Sequence, residues 1–211
     1  MQDIPVFTGE YGVASLTLSQ VPYKQEAYVR IQSAGEPEKF LQECAGFCKA
    51  VGAEKIYFCG YDEHDYPVYT ELWEMAVSRD NLPDTDAALI PVQENTISRW
   101  MEIYNRRMKD VPASAYMRIQ DGKKLIDSGN GYFVHRDKEL LGIGIASGDT
   151  ISAIVGTVPG AGREVLLALN HALSGDHAVV EVASVNILAR KLYDRLGFLP
   201  VKTILKWYCY F

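Results

Sequence analysis

Apolar and polar positions alternate over residues 11–18 (YGVASLTL) and again over 26–32 (EAYVRIQ), the period of two that a half-buried strand shows. Ser19–Gln25, which contains Pro22, separates the two runs, so they read as a hairpin. The period then changes. Phe40, Leu41, Cys44, Phe47, Cys48 and Val51 recur at helical spacing from Pro37 to about Ala50. Proline suits a first helical turn, where its missing N–H costs nothing, and acids beside it suit the helix dipole. Gly52 closes the helix. Lys55–Cys59 (KIYFC) reads as a short buried strand, 60–70 as a polar and aromatic loop, and 71–78 (ELWEMAVS) as a strand. Residues 79–87 (RDNLPDTDA) have the composition of a linker.

A strand over Ala88–Val92 opens the second half, and Asn95 or Thr96 can cap a helix over 97–108. Asp110-Val111-Pro112 breaks that helix. A short helix over 113–119, a turn at Asp121-Gly122 and strands over 123–127 and 131–136 follow. Leu140–Ala146 and Thr150–Val158 pair around Ser147-Gly148-Asp149. After these antiparallel strands the pattern switches. A loop, Pro159-Gly160-Ala161-Gly162, leads into a helix over 163–173 and a strand over 178–183. A helix starting at Asn186 ends at Gly197, and strands over 198–201 and 203–211 finish the chain. Strand, glycine loop, helix, strand is an α/β crossover.

The chain has 211 residues, 48% of them hydrophobic and 23% charged, enough to build a packed core. Its net charge of −6 is unevenly placed. Residues 1–87 carry 15 acids against 6 bases, and 88–211 carry 12 against 15. The balance and the absence of a clustered basic helix disfavour nucleic acid as a partner. No run of eighteen apolar residues and no basic-then-apolar leader is present, so a cytoplasmic protein without a membrane span is expected. In that setting Cys44, Cys48, Cys59 and Cys209 are expected to be free thiols. A zinc site of Cys44, Cys48, Cys59 and His64 fits no common spacing, and no metal is expected.

The segment from Thr157 to Arg163 joins a strand end to a helix start. Glycines there let a ligand approach the backbone, and first-turn N–H groups attract phosphate. A plain capped loop reads equally well from these residues alone. The stronger pattern is N-x-x-A-x-x-L-Y-x-x-L-G-F over Asn186–Phe198. Asn186 stands where the chain leaves a strand, Ala189 is small, and Tyr193 lies two helical turns from Asn186 on the same face. The residues alone allow Tyr193 as a core aromatic and Asn186 as a helix cap.

With this pattern, residues 88–211 resemble the GCN5-related N-acetyltransferases. The resemblance implies an α/β (α+β) fold with a mixed, mostly antiparallel sheet flanked by helices. It implies acetyl-CoA as acyl donor and transfer of an acetyl or acyl group to a primary amine of a small molecule, the protein being a monomer or homodimer. It assigns cofactor contacts to Val158, Gly160, Ala161, Gly162, Arg163, Asn186, Ala189 and Tyr193, with Tyr193 also protonating the leaving thiolate. Gly160 and Gly162 match the family's loop, but Thr157 replaces its basic or amide residue. Arg163 stands ready to replace that charge or to sit exposed. The strand before the loop holds no carboxylate. Glu181, among valines on the next strand, is the candidate base if burial raises its pKa, or else a structural carboxylate. An oxyanion would meet a backbone N–H near Gly156 or Val158. These departures also fit a second function, an acyl-CoA-binding module without turnover. Residues 1–87 form a smaller acidic half-domain, either a degenerate copy of the same fold or an unrelated α+β extension. Its loop side chains Tyr61, Asp62, Glu63, Asp65, Tyr66 and Tyr69 suit a cationic amine or plain solvation.

Overall fold

A computed structural model describes residues 1–60 and 66–210. In chain order the elements are β1 (Ile4–Thr8), β2 (Gly12–Thr17), α1 (Val21–Lys24), β3 (Glu26–Ala34), α2 (Pro37–Ala50), β4 (Lys55–Cys59), β5 (Val68–Ser78), β6 (Ala88–Pro91), α3 (Ile97–Met108), α4 (Ile119–Ser128), β7 (Gly131–Arg136), β8 (Glu139–Ser147), β9 (Thr150–Gly156), α5 (Gly162–Asn170), β10 (His177–Ala183), α6 (Ile187–Arg195) and β11 (Leu199–Tyr210). Two compact units divide them: Met1–Glu71 with Leu205–Phe211, and Leu72–Ile204. The division falls inside β5, before the composition shift at residue 87. Among the described residues, no helix is long and apolar enough to cross a membrane.

In the first unit β1, β2 and β3 run antiparallel, β3 and β4 run parallel, and the end of β11 pairs antiparallel with β4 through Tyr208↔Phe58. The parallel pair is joined by α2. Phe40, Leu41, Cys44 and Cys48 of that helix, all fully buried, pack in one cluster with Val29, Ile31, Ile56 and Phe58. β1 escapes a reading of periodicity because it is short and carries Pro5. An edge strand tolerates proline, since its N–H would face solvent.

In the second unit β6, β7, β8 and β9 run antiparallel, β9 and β10 run parallel, and β10 pairs antiparallel with β5. Helix α5 lies in a cluster with β9 and β10, its residues Val165–Leu169 at 0–1% exposure. Gly142 and Gly144 make room for it: a side chain at Gly144 would stand 2.2 Å from Leu169 Cδ1, and one at Gly142 2.5 Å from Val165 Cγ2. Trp100, Ile103, Phe133, Ile143 and Val155 form a separate cluster with α3.

Three expectations are corrected here. Residues 119–128 are one helix, α4, where a turn at Asp121-Gly122 and a strand over 123–127 were expected. Asp121 caps it by accepting from the Arg118 N–H at 3.0 Å, and Gly122 lets it approach α3, since a side chain there would lie 2.5 Å from Met101 Sδ. The glycine thus marks close packing rather than a bend. Residues 79–87 are no free linker: Leu82 and Ala87 are buried, and Arg79 donates to Asn170 Oδ1 and to the Gly175 carbonyl. The final strands at 198–201 and 203–211 are one continuous strand, β11, because no turn residue interrupts Val201-Lys202-Thr203.

Candidate functional site

The parallel strands β9 and β10 pair only at Thr150↔Val179 and Ile151↔Val180 among the described residues. Beyond that point each is held from its other side. Ala153–Gly156 pair with Ile145–Gly142 of β8, and Glu181–Ala183 pair with Glu74–Leu72 of β5. The pairing register shifts between Ile145 and Ala146, so Ser152 is an extra residue on β9. A bulge bends the strand that carries it. It falls one residue after the last β9–β10 pair, where the two strands cease to be bonded. The resulting gap exposes unpaired main-chain groups, a slot into which an amide-bearing chain can add hydrogen bonds.

The β9 end of the gap leads into the glycine loop. Gly160 holds a φ of +82°, which a residue with a side chain adopts only under strain, and a side chain there would meet open space. A side chain at Gly162 would stand 3.4 Å from Leu192 Cδ2, so this glycine sits close against α6. Ala161 is buried and donates its N–H to the Val158 carbonyl at 3.3 Å, closing the turn. Among the described residues the N–H groups of Val158, Gly160, Gly162 and Arg163 have no acceptor, and no side chain caps α5. Unsatisfied donors at the start of a helix form an anion site, and a diphosphate fits that chemistry.

Arg163 is half exposed and paired with Glu164 at 2.6 Å. Glu164 also receives Thr85 at 2.8 Å and Arg136 at 2.5 Å. Burial alone would raise its pKa. The hydrogen bonds from Thr85, Arg136 and Arg163 outweigh that and hold it below the ordinary carboxylate value. This ionic hub fixes the first turn of α5 and shares the Arg163 charge.

Helix α6 follows β10. Asn186 caps it, its Oδ1 accepting from the Ala189 N–H at 3.2 Å. Among the described residues its Nδ2 donates to nothing, so the cap leaves one polar group free for a ligand. Tyr193 is 7% exposed and packs in the cluster that contains Ile151, Ala161, Val180 and Val182, with its ring 5.6 Å from Phe198. Burial pushes its phenol up to about 12. Its hydroxyl has no protein partner among the described residues and is not sealed from solvent. A protonated, unpartnered phenol is chemically fit to give a proton to a thiolate.

Glu181 does not meet its expected environment. Alternation along β10 turns Val180 and Val182 into the core and leaves Glu181 exposed rather than buried among the valines. It stands opposite Glu74 across β5, and Lys202 neutralises Glu74 at 3.1 Å. Like charges directly opposed destabilise a sheet. Among the described residues no cation pairs with Glu181 itself. Tyr66 donates to Glu38 at 2.8 Å and Tyr69 stacks on Tyr57, so neither is merely solvated. Tyr61, Asp62, Glu63, His64 and Asp65 lie outside the described residues, as does any zinc site using His64. Cys44, Cys48, Cys59 and Cys209 are free thiols.

Two residues at this site carry no signal in the sequence. Arg190 lies over the Trp73 ring at 4.5 Å and donates to the Ser184 carbonyl at 2.8 Å, pinning the turn before α6. Arg107, in the last turn of α3, donates to the Thr157 carbonyl from fifty residues away in sequence. Its visible cue, a basic doublet at a helix end, explains itself by the dipole alone.

With this geometry in place, comparison with solved structures gives the fold. A putative acetyltransferase from Pyrococcus horikoshii aligns at a TM-score of 0.63 and 12% identity over 95% of this chain and 69% of its own. A functionally unknown conserved protein from Staphylococcus epidermidis aligns at 0.60 and 12%, over 97% and 92%. A GCN5-related N-acetyltransferase from Sphaerobacter thermophilus aligns at 0.56 and 10%, over 93% and 75%. No family model matches the sequence, and no curated protein does. The chain therefore has the GCN5-related N-acetyltransferase fold, an α+β architecture with a mixed sheet flanked by helices.

Proposed function

We propose that the protein is an N-acyltransferase that moves an acetyl or related acyl group from acyl-coenzyme A to the primary amine of a small molecule. The observation that carries this reading is the parting of β9 from β10 after Ile151 and Val180, at strand ends that lead to the unsatisfied loop N–H groups. A pantetheine arm has amides for the gap, and its diphosphate suits the N–H groups of Val158, Gly160, Gly162 and Arg163. Asn186 Nδ2 supplies a further donor, and Ala189 leaves space beside it.

In this reaction the amine nitrogen bonds to the thioester carbon and the carbon–sulfur bond breaks. Tyr193 gives its phenolic proton to the departing sulfur. The attacking amine loses a proton to Glu181 directly or through water, and solvent exchange restores both groups. Glu181 suits this role because it is exposed and unpaired on the stretch of β10 that β9 leaves free.

Calorimetry with acetyl-CoA, run beside a thiol-release assay over an amine panel, tests the proposal. Binding and turnover of at least one amine are expected. Tyr193→Phe should lower kcat by roughly 10²-fold or more while leaving acetyl-CoA affinity unchanged, the scale of a lost general acid. Absence of binding at millimolar acetyl-CoA rejects the reading. Binding without turnover, unchanged by Tyr193→Phe, supports a non-catalytic acyl-CoA-binding module instead.

A further inference from the structure

We infer that Glu164 makes Arg163 an exchangeable cation: the guanidinium leaves Glu164 for the diphosphate when acyl-CoA binds, and returns to it when CoA departs. The inference rests on the diphosphate reading of the loop given above and concerns how tightly that site holds its ligand.

The two carboxylate oxygens of Glu164 are used differently. Oε2 accepts from Thr85 Oγ1 at 2.8 Å and from Arg136 Nη2 at 2.5 Å. Both donors are themselves held. Arg136, on β7, also pairs with Asp86 at 2.5 Å, and Thr85 Oγ1 accepts from the Ala87 N–H at 3.2 Å. Oε1 accepts only from Arg163 Nη1 among the described residues, at 2.6 Å. Arg163 in turn has no other side-chain partner among the described residues, and its side chain is 48% exposed against 21% for Glu164. The acid is therefore anchored through one oxygen, while the other holds a single cation at the surface.

The main-chain N–H of Arg163 is one of the unsatisfied donors of the first turn of α5. The phosphate thus comes to the very residue whose side chain carries the charge. An exposed ion pair is weak. A diphosphate offers more negative charge, and its oxygens match the guanidinium fork, so it is the stronger partner. When Arg163 leaves, Arg136 still neutralises Glu164, and no acid is left bare. When the ligand leaves, Oε1 is the waiting acceptor. The Glu164 pair therefore offsets part of the binding free energy. It does so equally for acetyl-CoA and CoA, which share the diphosphate. An acyltransferase must release CoA in every turnover, a step that often limits kcat, and this pair eases it.

The test uses the full chain with Glu164→Gln, Arg163→Gln and the two combined, titrated with CoA and with acetyl-CoA by calorimetry. Glu164→Gln keeps an acceptor for Thr85 and removes the competing charge. It should tighten both ligands by roughly threefold to fivefold, the scale of one surface ion pair. Arg163→Gln should weaken both. With Arg163→Gln already present, Glu164→Gln should give little further change, because the two residues act as one unit. A direct reading needs no variant: the Arg163 Nε–H resonance of the wild-type chain should shift as CoA saturates, with that of Arg136 unmoved. Weaker or unchanged binding in a folded Glu164→Gln chain overturns the inference. So does equal tightening with and without Arg163, or an unmoved Arg163 resonance at saturation. Each of these leaves the acyltransferase reading standing. Acetyl-CoA binding without turnover of any amine overturns that reading and leaves this inference to its own titrations. A wild-type chain that binds neither ligand overturns both.

Discussion

The two parallel crossovers of this chain, β3–α2–β4 and β9–α5–β10, share their connectivity and differ in closure. In the first, five residue pairs from Glu26↔Lys55 to Arg30↔Cys59 zip the parallel strands together. In the second only two pairs form. The N–H of Gly35, at the end of β3, is committed to Tyr11 O at 2.9 Å, whereas that of Val158, past the end of β9, is free. Under α2 the antiparallel neighbour β2 presents Ala14 and Leu16; under α5 the corresponding strand β8 presents Gly142 and Gly144. The same topology thus serves as a closed structural unit in one place and an open one in the other. Each crossover carries one inserted residue just past its last parallel pair, Gln32 on β3 and Ser152 on β9, so the difference lies in the shorter parallel pairing of β9 and in glycines that satisfy nothing themselves. We propose that the first crossover is a degenerate copy of the second.

The largest effect should follow from filling the glycine space under α5. Gly142→Val places a side chain against Val155 O, 2.3 Å from the added Cβ, and against Val165. Overpacking against fixed backbone should cost roughly 3 kcal/mol, read as a lower urea midpoint. Next comes Gly160→Val. Its left-handed backbone should cost about 1–2 kcal/mol of stability, and crowding of the free N–H groups should weaken acetyl-CoA at least tenfold by calorimetry. Retention of wild-type affinity would break the claim that this loop holds the diphosphate.

Alkaline pH should act on the first crossover. Burial pushes Cys44 up to about 12 and Cys48 up to about 11, above the ordinary thiol value of 9.0. Below pH 9 both thiols are protonated in folded and unfolded chains, and stability is full. As pH rises between 9 and 12 the unfolded chain loses protons that the folded chain keeps, so stability falls. Urea midpoints at pH 8 and 10 should show the fall, and Cys44→Ser with Cys48→Ser should lessen it, the remainder coming from other buried groups such as Cys59 and Tyr28. The smallest effect belongs to Gly35→Ala, whose added Cβ would meet only Tyr11 O at 4.0 Å. Its midpoint should shift by less than about 0.5 kcal/mol equivalent.

Much of this contrast was readable from the sequence. Periodicity placed α2, α3 and β7–β10, and the Asn186–Phe198 pattern placed α6, while the cap at Asn186 and the core position of Tyr193 match what those residues alone allowed. What it did not disclose has a common physical cause. Gly122 reads as a turn because its reason for being glycine, the sulfur of Met101, sits on another helix. Glu181 reads as buried among valines because periodicity alone cannot say which face of a strand is covered. Arg107 reads as a helix-end cation because its acceptor, a main-chain carbonyl, leaves no trace in side-chain type. The parting of β9 from β10 depends on a register shift that only the paired strand reveals.

The most direct test of the central claim, that the open crossover and not the closed one takes the acyl donor, is an amide-resolved titration of the whole chain with acetyl-CoA. Saturable shifts are expected at Val158, Gly160, Gly162, Arg163 and Asn186, with Gly35, Glu36 and Lys39 unmoved. Saturable shifts at Gly35–Lys39 with the loop 158–163 unchanged, or no shifts anywhere at millimolar acetyl-CoA, would contradict the account.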